Sequence, residues 1–156
     1  MTGLLSSNPT LADPGEGGGR MRIWCETVVT GAADTTTSTY HMARLPSNAR
    51  IMGISKIAHD QLGSTTTKIH IGVYNPSGRD VITDDIDAIN TAIVASTSGT
   101  KNFVGDPANF GKRLWEFVNG QTTDPKGMLD VKLALYDADL SSGNGDVTVE
   151  IVYTLD

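Results

Sequence analysis

The residues able to do chemistry are few and poorly grouped. Asp84, Asp85 and Asp87 are the densest carboxylates in the chain, and such oxygens suit a hard cation such as Ca²⁺ or Mg²⁺. Their spacing lacks the mid-loop glycine and distal glutamate of a calcium-binding loop. Acids gathered ahead of an isoleucine stripe suit the positive end of a helix instead. Asp137 and Asp139 border a loop and suggest nothing more. His41, His59 and His70 lie too far apart for a short metal motif, and each reads as a surface or half-buried structural residue. His59-Asp60 would suit a base and its orienting acid, but no serine sits in a nucleophile-elbow pattern. Cys25, the single cysteine, stands beside Trp24 in a strand-like run, where a small buried apolar residue is expected rather than a reactive thiolate. The glycines at 15 and 17–19 lack the spacing and lysine of a phosphate loop. The expectation is a protein without metal, cofactor or catalytic centre, and so not an enzyme.

Composition narrows the partners. The chain has 156 residues with a formal net charge of -6, and an acidic chain repels phosphate backbones, which argues against nucleic acid. No stretch of eighteen apolar residues suggests a membrane span, and no basic start followed by an apolar run suggests a secretory signal. One cysteine excludes an intrachain disulfide framework. Folding in a reducing cytoplasm fits this; an interchain disulfide through Cys25 would need a second chain and an oxidising setting.

The elements that must position these residues follow from local pattern. Residues 1–19 hold Pro9, Pro14 and the triple glycine Gly17–Gly19, a composition that supports neither helix nor central strand. They read as an extended or flexible N-terminal arm, able to reach roughly 60 Å at about 3.3 Å per residue. The arm is either a frayed tail or an attachment segment. In the second reading Leu4, Leu5, Pro9, Leu11 and Pro14 are the partner-binding residues.

Residues 20–156 read as one β domain. Met21, Ile23, Cys25, Thr27 and Val29 alternate with Arg22, Trp24, Glu26 and Val28, the two-residue period of a half-buried strand. Further strands are expected over Thr37–Leu45, Ile51–His59 and Thr65–Tyr74, broken by Pro46 and by turns at Gly63 and Asn75–Gly78. Ile82, Ile86, Ile89 and Ile93 fall at helical spacing, which predicts a helix of about three turns over 82–94. Thr97–Pro107 reads mostly as loop, and Lys112–Val118 as a brief helix or edge strand packing Trp115 and Phe117. Two final strands, Leu129–Tyr136 and Val147–Leu155, flank the glycine-rich Ser141–Gly145, which predicts a hairpin. Short strands between Gly, Pro and Asn turns argue for an antiparallel, jelly-roll-like sandwich or barrel with one or two short helices.

Several segments, taken in order, resemble a known family. Leu45-Pro46-Ser47-Asn48-Ala49-Arg50-Ile51 is similar to the "LP-x-x-A-R-I" corner of small virion proteins of tailed phages, encoded beside the major capsid protein. Thr67–Val73 fits the next strand, Gly111–Glu116 a "G-x-x-L-W-E" element, then come Asp124-Pro125 and the closing hairpin at Gly145–Tyr153. Together these cover about Arg20 to Leu155. The resemblance implies a capsid decoration, or cement, protein: a homotrimer made in the host cytoplasm that sits on the virion surface over local three-fold positions and binds the major capsid protein. A carbohydrate- or receptor-binding jelly-roll module of a phage fibre or spike is the alternative. Only 6% of residues are aromatic, few for the stacking platforms such sites use.

Overall fold

The computed structural model describes residues 20–63, 66–140 and 145–155. They form nine strands: β1 (Arg22–Val29), β2 (Thr39–Pro46), β3 (Ala49–Ile51), β4 (Lys56–His59), β5 (Lys68–Tyr74), β6 (Asp85–Val94), β7 (Gly99–Asn102), β8 (Met128–Tyr136) and β9 (Asp146–Leu155). Two 3₁₀ turns, η1 (Pro107–Asn109) and η2 (Leu114–Phe117), lie between β7 and β8.

One sheet runs β1-β9-β4-β7, with β3 also paired to β9; the other runs β2-β8-β5-β6. Every pairing is antiparallel. Successive strands pass back and forth between the two sheets, the connectivity of a jelly-roll-like sandwich that does not close into a barrel. Strict alternation explains the core. Leu129, Val131, Leu133 and Leu135 of β8, Ile69, Ile71 and Val73 of β5, and Val147, Val149 and Ile151 of β9 all point between the sheets. They join one buried cluster with Met42, Leu45, Ile51, Ile57, Phe103 and Leu114.

Four expectations from sequence are corrected. The predicted helix over 82–94 is strand β6. Ile89 and Ile93 are four apart, which is two strand steps as well as one helical turn, and both are buried. β-branched side chains favour the pleated form, and register shifts in the β5–β6 ladder, with Ala92 at φ 53°, absorb the remaining mismatch. The predicted closing hairpin does not form, because β8 and β9 belong to different sheets; their apolar faces oppose each other across the core instead of sharing a ladder. The single strand expected over Ile51–His59 is two, β3 and β4, parted by a turn at Met52–Ser55. The stretch read as loop over Thr97–Pro107 contains β7, paired with β4. Lys112–Val118 does hold the expected brief helix, as η2.

Candidate functional site

Three of the segments singled out in the sequence, Leu45–Ile51, Gly111–Glu116 and Asp124-Pro125, meet at one corner of the sandwich. Leu45–Ile51 carries the chain from β2 in one sheet to β3 in the other. The Ile51 amide donates to the Lys112 carbonyl at 3.0 Å, and the Gly111 amide donates to the Ile51 carbonyl at 2.8 Å. Arg50 Nη1 donates to the Gly111 carbonyl at 3.0 Å. Ser47 Oγ donates to Asp124 Oδ1 at 2.6 Å, and the Trp115 amide donates to the Ser47 carbonyl at 3.2 Å. Glu116 accepts from the Arg113 amide at 2.6 Å, capping η2. Three stretches far apart in sequence therefore lock one corner. Their polar groups are spent on one another and on backbone, so the corner acts as a brace.

The carboxylates and histidines are also structural. Asp84 accepts from the Asn75 amide at 2.7 Å, and Asp85 from the Asn119 amide at 2.9 Å. With no helix behind them, they tie loops rather than cap a helix end. No group of three metal-ligating side chains occurs among the described residues. His59 Nδ1 contacts the Asp60 backbone carbonyl at 2.9 Å, not its carboxylate, so the pair is no catalytic dyad. His70 is buried edge-on to Tyr136, with ring centroids 4.2 Å apart. Burial drives its pKa down, against the pull of Asp87, whose carboxylate lies 4.0 Å from Nδ1.

The most tightly held charge is Asp130 on β8. Its side chain is 4% exposed, and it accepts from Arg44 Nε at 2.6 Å and Nη2 at 3.0 Å, with His41 Nε2 at 3.2 Å. Burial opposes its ionisation, but the hydrogen bonds and charges of Arg44 and His41 outweigh it and hold the carboxyl below its ordinary range. This network fixes edge strand β2 to its neighbour. The grooves along β6 and the β6–β7 side are shallow and lined by side chains such as Asn90, Thr91, Asn102 and Asn109, with no nucleophile and base converging.

What the molecule does display is an apolar edge. On β9, Val147, Val149 and Ile151 face the core, so Thr148, Glu150 and Val152 face outward. Opposite them on β1 lie Thr27, Cys25 and Ile23. The apolar face of β1 therefore points to solvent: Met21, Ile23 and Val29 are 61%, 64% and 63% exposed. Cys25, expected to be buried, is exposed for the same reason. Trp24 points inward, where its indole N–H donates to the Met42 carbonyl of β2 at 2.8 Å and pins the two sheets together along this side. Beside Ile23, outward Val152 stays 2% exposed. The turn Met52–Ser55 is bonded to its backbone and carries exposed Ile54, while the ring of Phe110 covers Gly53. Sequence alternation gave the strand but not which face was buried.

Among solved structures, the chain is similar over the full length of both chains to one in the "Cyanophage Pam1 capsid asymmetric unit", with a TM-score of 0.58 and 20% identity. It is similar to one in the "Capsid of Ralstonia phage GP4", with a TM-score of 0.55 and 12% identity, over 90% of this chain and 86% of that one. At these identities the likeness is one of fold. No protein-family model and no curated protein matches the chain. The attachment residues expected in the arm, Leu4, Leu5, Pro9, Leu11 and Pro14, lie outside the described residues.

Proposed function

We propose that this chain is a structural, non-enzymatic virion protein that decorates and stabilises the shell of a tailed phage. In this reading it binds the major capsid protein as a homotrimer at local three-fold positions. The observation that carries it is the end-to-end match of fold with a chain of a phage capsid asymmetric unit. The site chemistry supports it: the polar clusters of the described residues brace the fold, while Met21, Ile23 and Val29 form an exposed apolar row suited to protein contacts. A rigid sandwich is a platform, and a segment outside it adds contacts to a neighbour. Leu4, Leu5, Pro9, Leu11 and Pro14 supply that attachment, and three linked copies turn weak contacts into firm binding.

The carbohydrate-binding alternative has no such support. Trp115 packs partly buried against the core and Trp24, although 38% exposed, is held by its indole N–H across the sandwich, so the two do not form a shared stacking platform.

The test is to mix the purified protein with shells assembled from the major capsid protein of the same phage. The expected results are a solution mass three times the 16.5 kDa chain and density over local three-folds in electron micrographs. Deleting residues 1–19 should abolish shell binding while the circular dichroism spectrum keeps its β signature. Intact protein that left shells bare would overturn decoration. Truncated protein that decorated as well as intact protein would overturn the arm's role.

A further inference from the structure

A sandwich of two open sheets has four edge strands, and three of these are guarded. β2 shifts register between His41 and Ala43 and ends on Pro46, which has no N–H to offer. β6 is broken by two register shifts. β7 is four residues long and carries exposed Lys101. Bulges, prolines, shortness and lysines are the usual devices that stop an edge from pairing with another chain. β1 has none of these four; the one guard it carries is the charged pair Arg22 and Glu26 on its inward side. It is eight residues long, stays in register with β9 throughout, and carries an exposed apolar row.

We propose that β1 pairs antiparallel with β1 of a second copy of this chain, about a two-fold axis at Trp24. Charge fixes both the partner and the register. Arg22 and Glu26 lie on the same side of the strand, two residues either side of Trp24. Neither side chain has an ion pair or hydrogen bond among the described residues. Inward-pointing charges at an edge repel most strands, but a two-fold at Trp24 sets each Arg22 opposite Glu26 of the other copy. Opposite charges directly across a ladder attract. A shift of one pair sets Arg22 opposite Val28 or Trp24. The second of these brings Arg20, which precedes the strand, opposite Glu26, so within β1 itself only the register at Trp24 sets opposite charges across from each other. On the outer face the same register sets Ile23 against Cys25 and Met21 against Thr27, extending the apolar row across the join.

This contact is isologous, using one strand on both sides, whereas ring closure into a trimer joins two different surfaces. The two readings therefore stand or fall separately. Trimers joined in pairs through β1 would form a continuous net.

The register makes the test specific. In the full-length chain, Ile23→Cys puts a new thiol directly opposite the native Cys25 of the second copy. Directly opposed residues in an antiparallel ladder have Cα atoms about 4.5–5.5 Å apart, within disulfide range. Mild oxidation should convert most of this variant to a covalent dimer on a non-reducing gel. The native chain and the Ile23→Cys/Cys25→Ser variant keep their thiols out of register and should cross-link at least tenfold more slowly. An Ile23→Cys chain that stays uncross-linked, or controls that cross-link as fast, would overturn the pairing. Charge gives a second readout. Glu26→Arg should weaken self-association at least tenfold in sedimentation equilibrium, and adding Arg22→Glu should restore it. A double variant that folds but does not re-associate would sink the register.

Discussion

Asp130 shows how one residue's environment becomes a property of the whole protein. Its carboxyl titrates below the ordinary 3.8 when folded, so the folded state binds fewer protons than the unfolded chain in that range. The stabilisation is complete above the unfolded value and is lost as pH falls through the lower folded one. Urea titrations from pH 7 down to pH 2 should therefore show stability dropping below about pH 4. Asp130→Asn should lower stability at pH 7 by about 1–2 kcal/mol, the lower part of the range for a charged hydrogen bond because Arg44 is half exposed. It should also flatten the acid limb. An unchanged limb would mean that other carboxyls set it. Gly72 is a second case. A Cβ there would sit 2.4 Å from the Asp85 carbonyl oxygen and 2.6 Å from the Ile86 backbone, at the register shift where β6 presses against β5. Gly72→Ala should cost about 1–3 kcal/mol as overpacking, read as a lower urea midpoint.

At the scale of elements, the informative cases are those where two periods coincide. Ile89 and Ile93 of β6 fit a helix face and a strand face equally well, while Ile86, an odd step away, fits only the helix and lies exposed in the strand; β-branching leaned toward the strand without deciding it. Pairing with β5, already committed by Ile69, Ile71 and Val73, decided it. The same coincidence misled on the last two strands. A glycine-rich link between two alternating runs is a good hairpin signal, yet the two strands it joins lie in different sheets. β1 presents the opposite situation. Its alternation was plain, but its apolar face belongs to the surface, because the inward positions at that edge are closed by Trp24 reaching β2. The edge is thereby freed for another strand.

For the whole molecule, stability rests on one core between the sheets, and the centre of that core is β8. Leu133 is 1% exposed and pairs with Tyr40 and Ile71 on the two neighbouring strands. Leu133→Ala should destabilise by about 2–5 kcal/mol, the cost of lost burial plus a cavity. Urea unfolding should show a lower midpoint at unchanged slope. A loss under 1 kcal/mol would mean that the core collapses to fill the gap. The sequence by itself determined that the domain is β, where most strands lie, which segments turn, and that no metal or nucleophile motif is present, because alternation and turn chemistry are local. Only the tertiary structure decided which strands share a sheet, that Ser47, Gly111 and Asp124 brace one corner, and that the apolar face of β1 is turned to solvent. Those outcomes depend on which surfaces meet across the core, a long-range competition that no local window of sequence records.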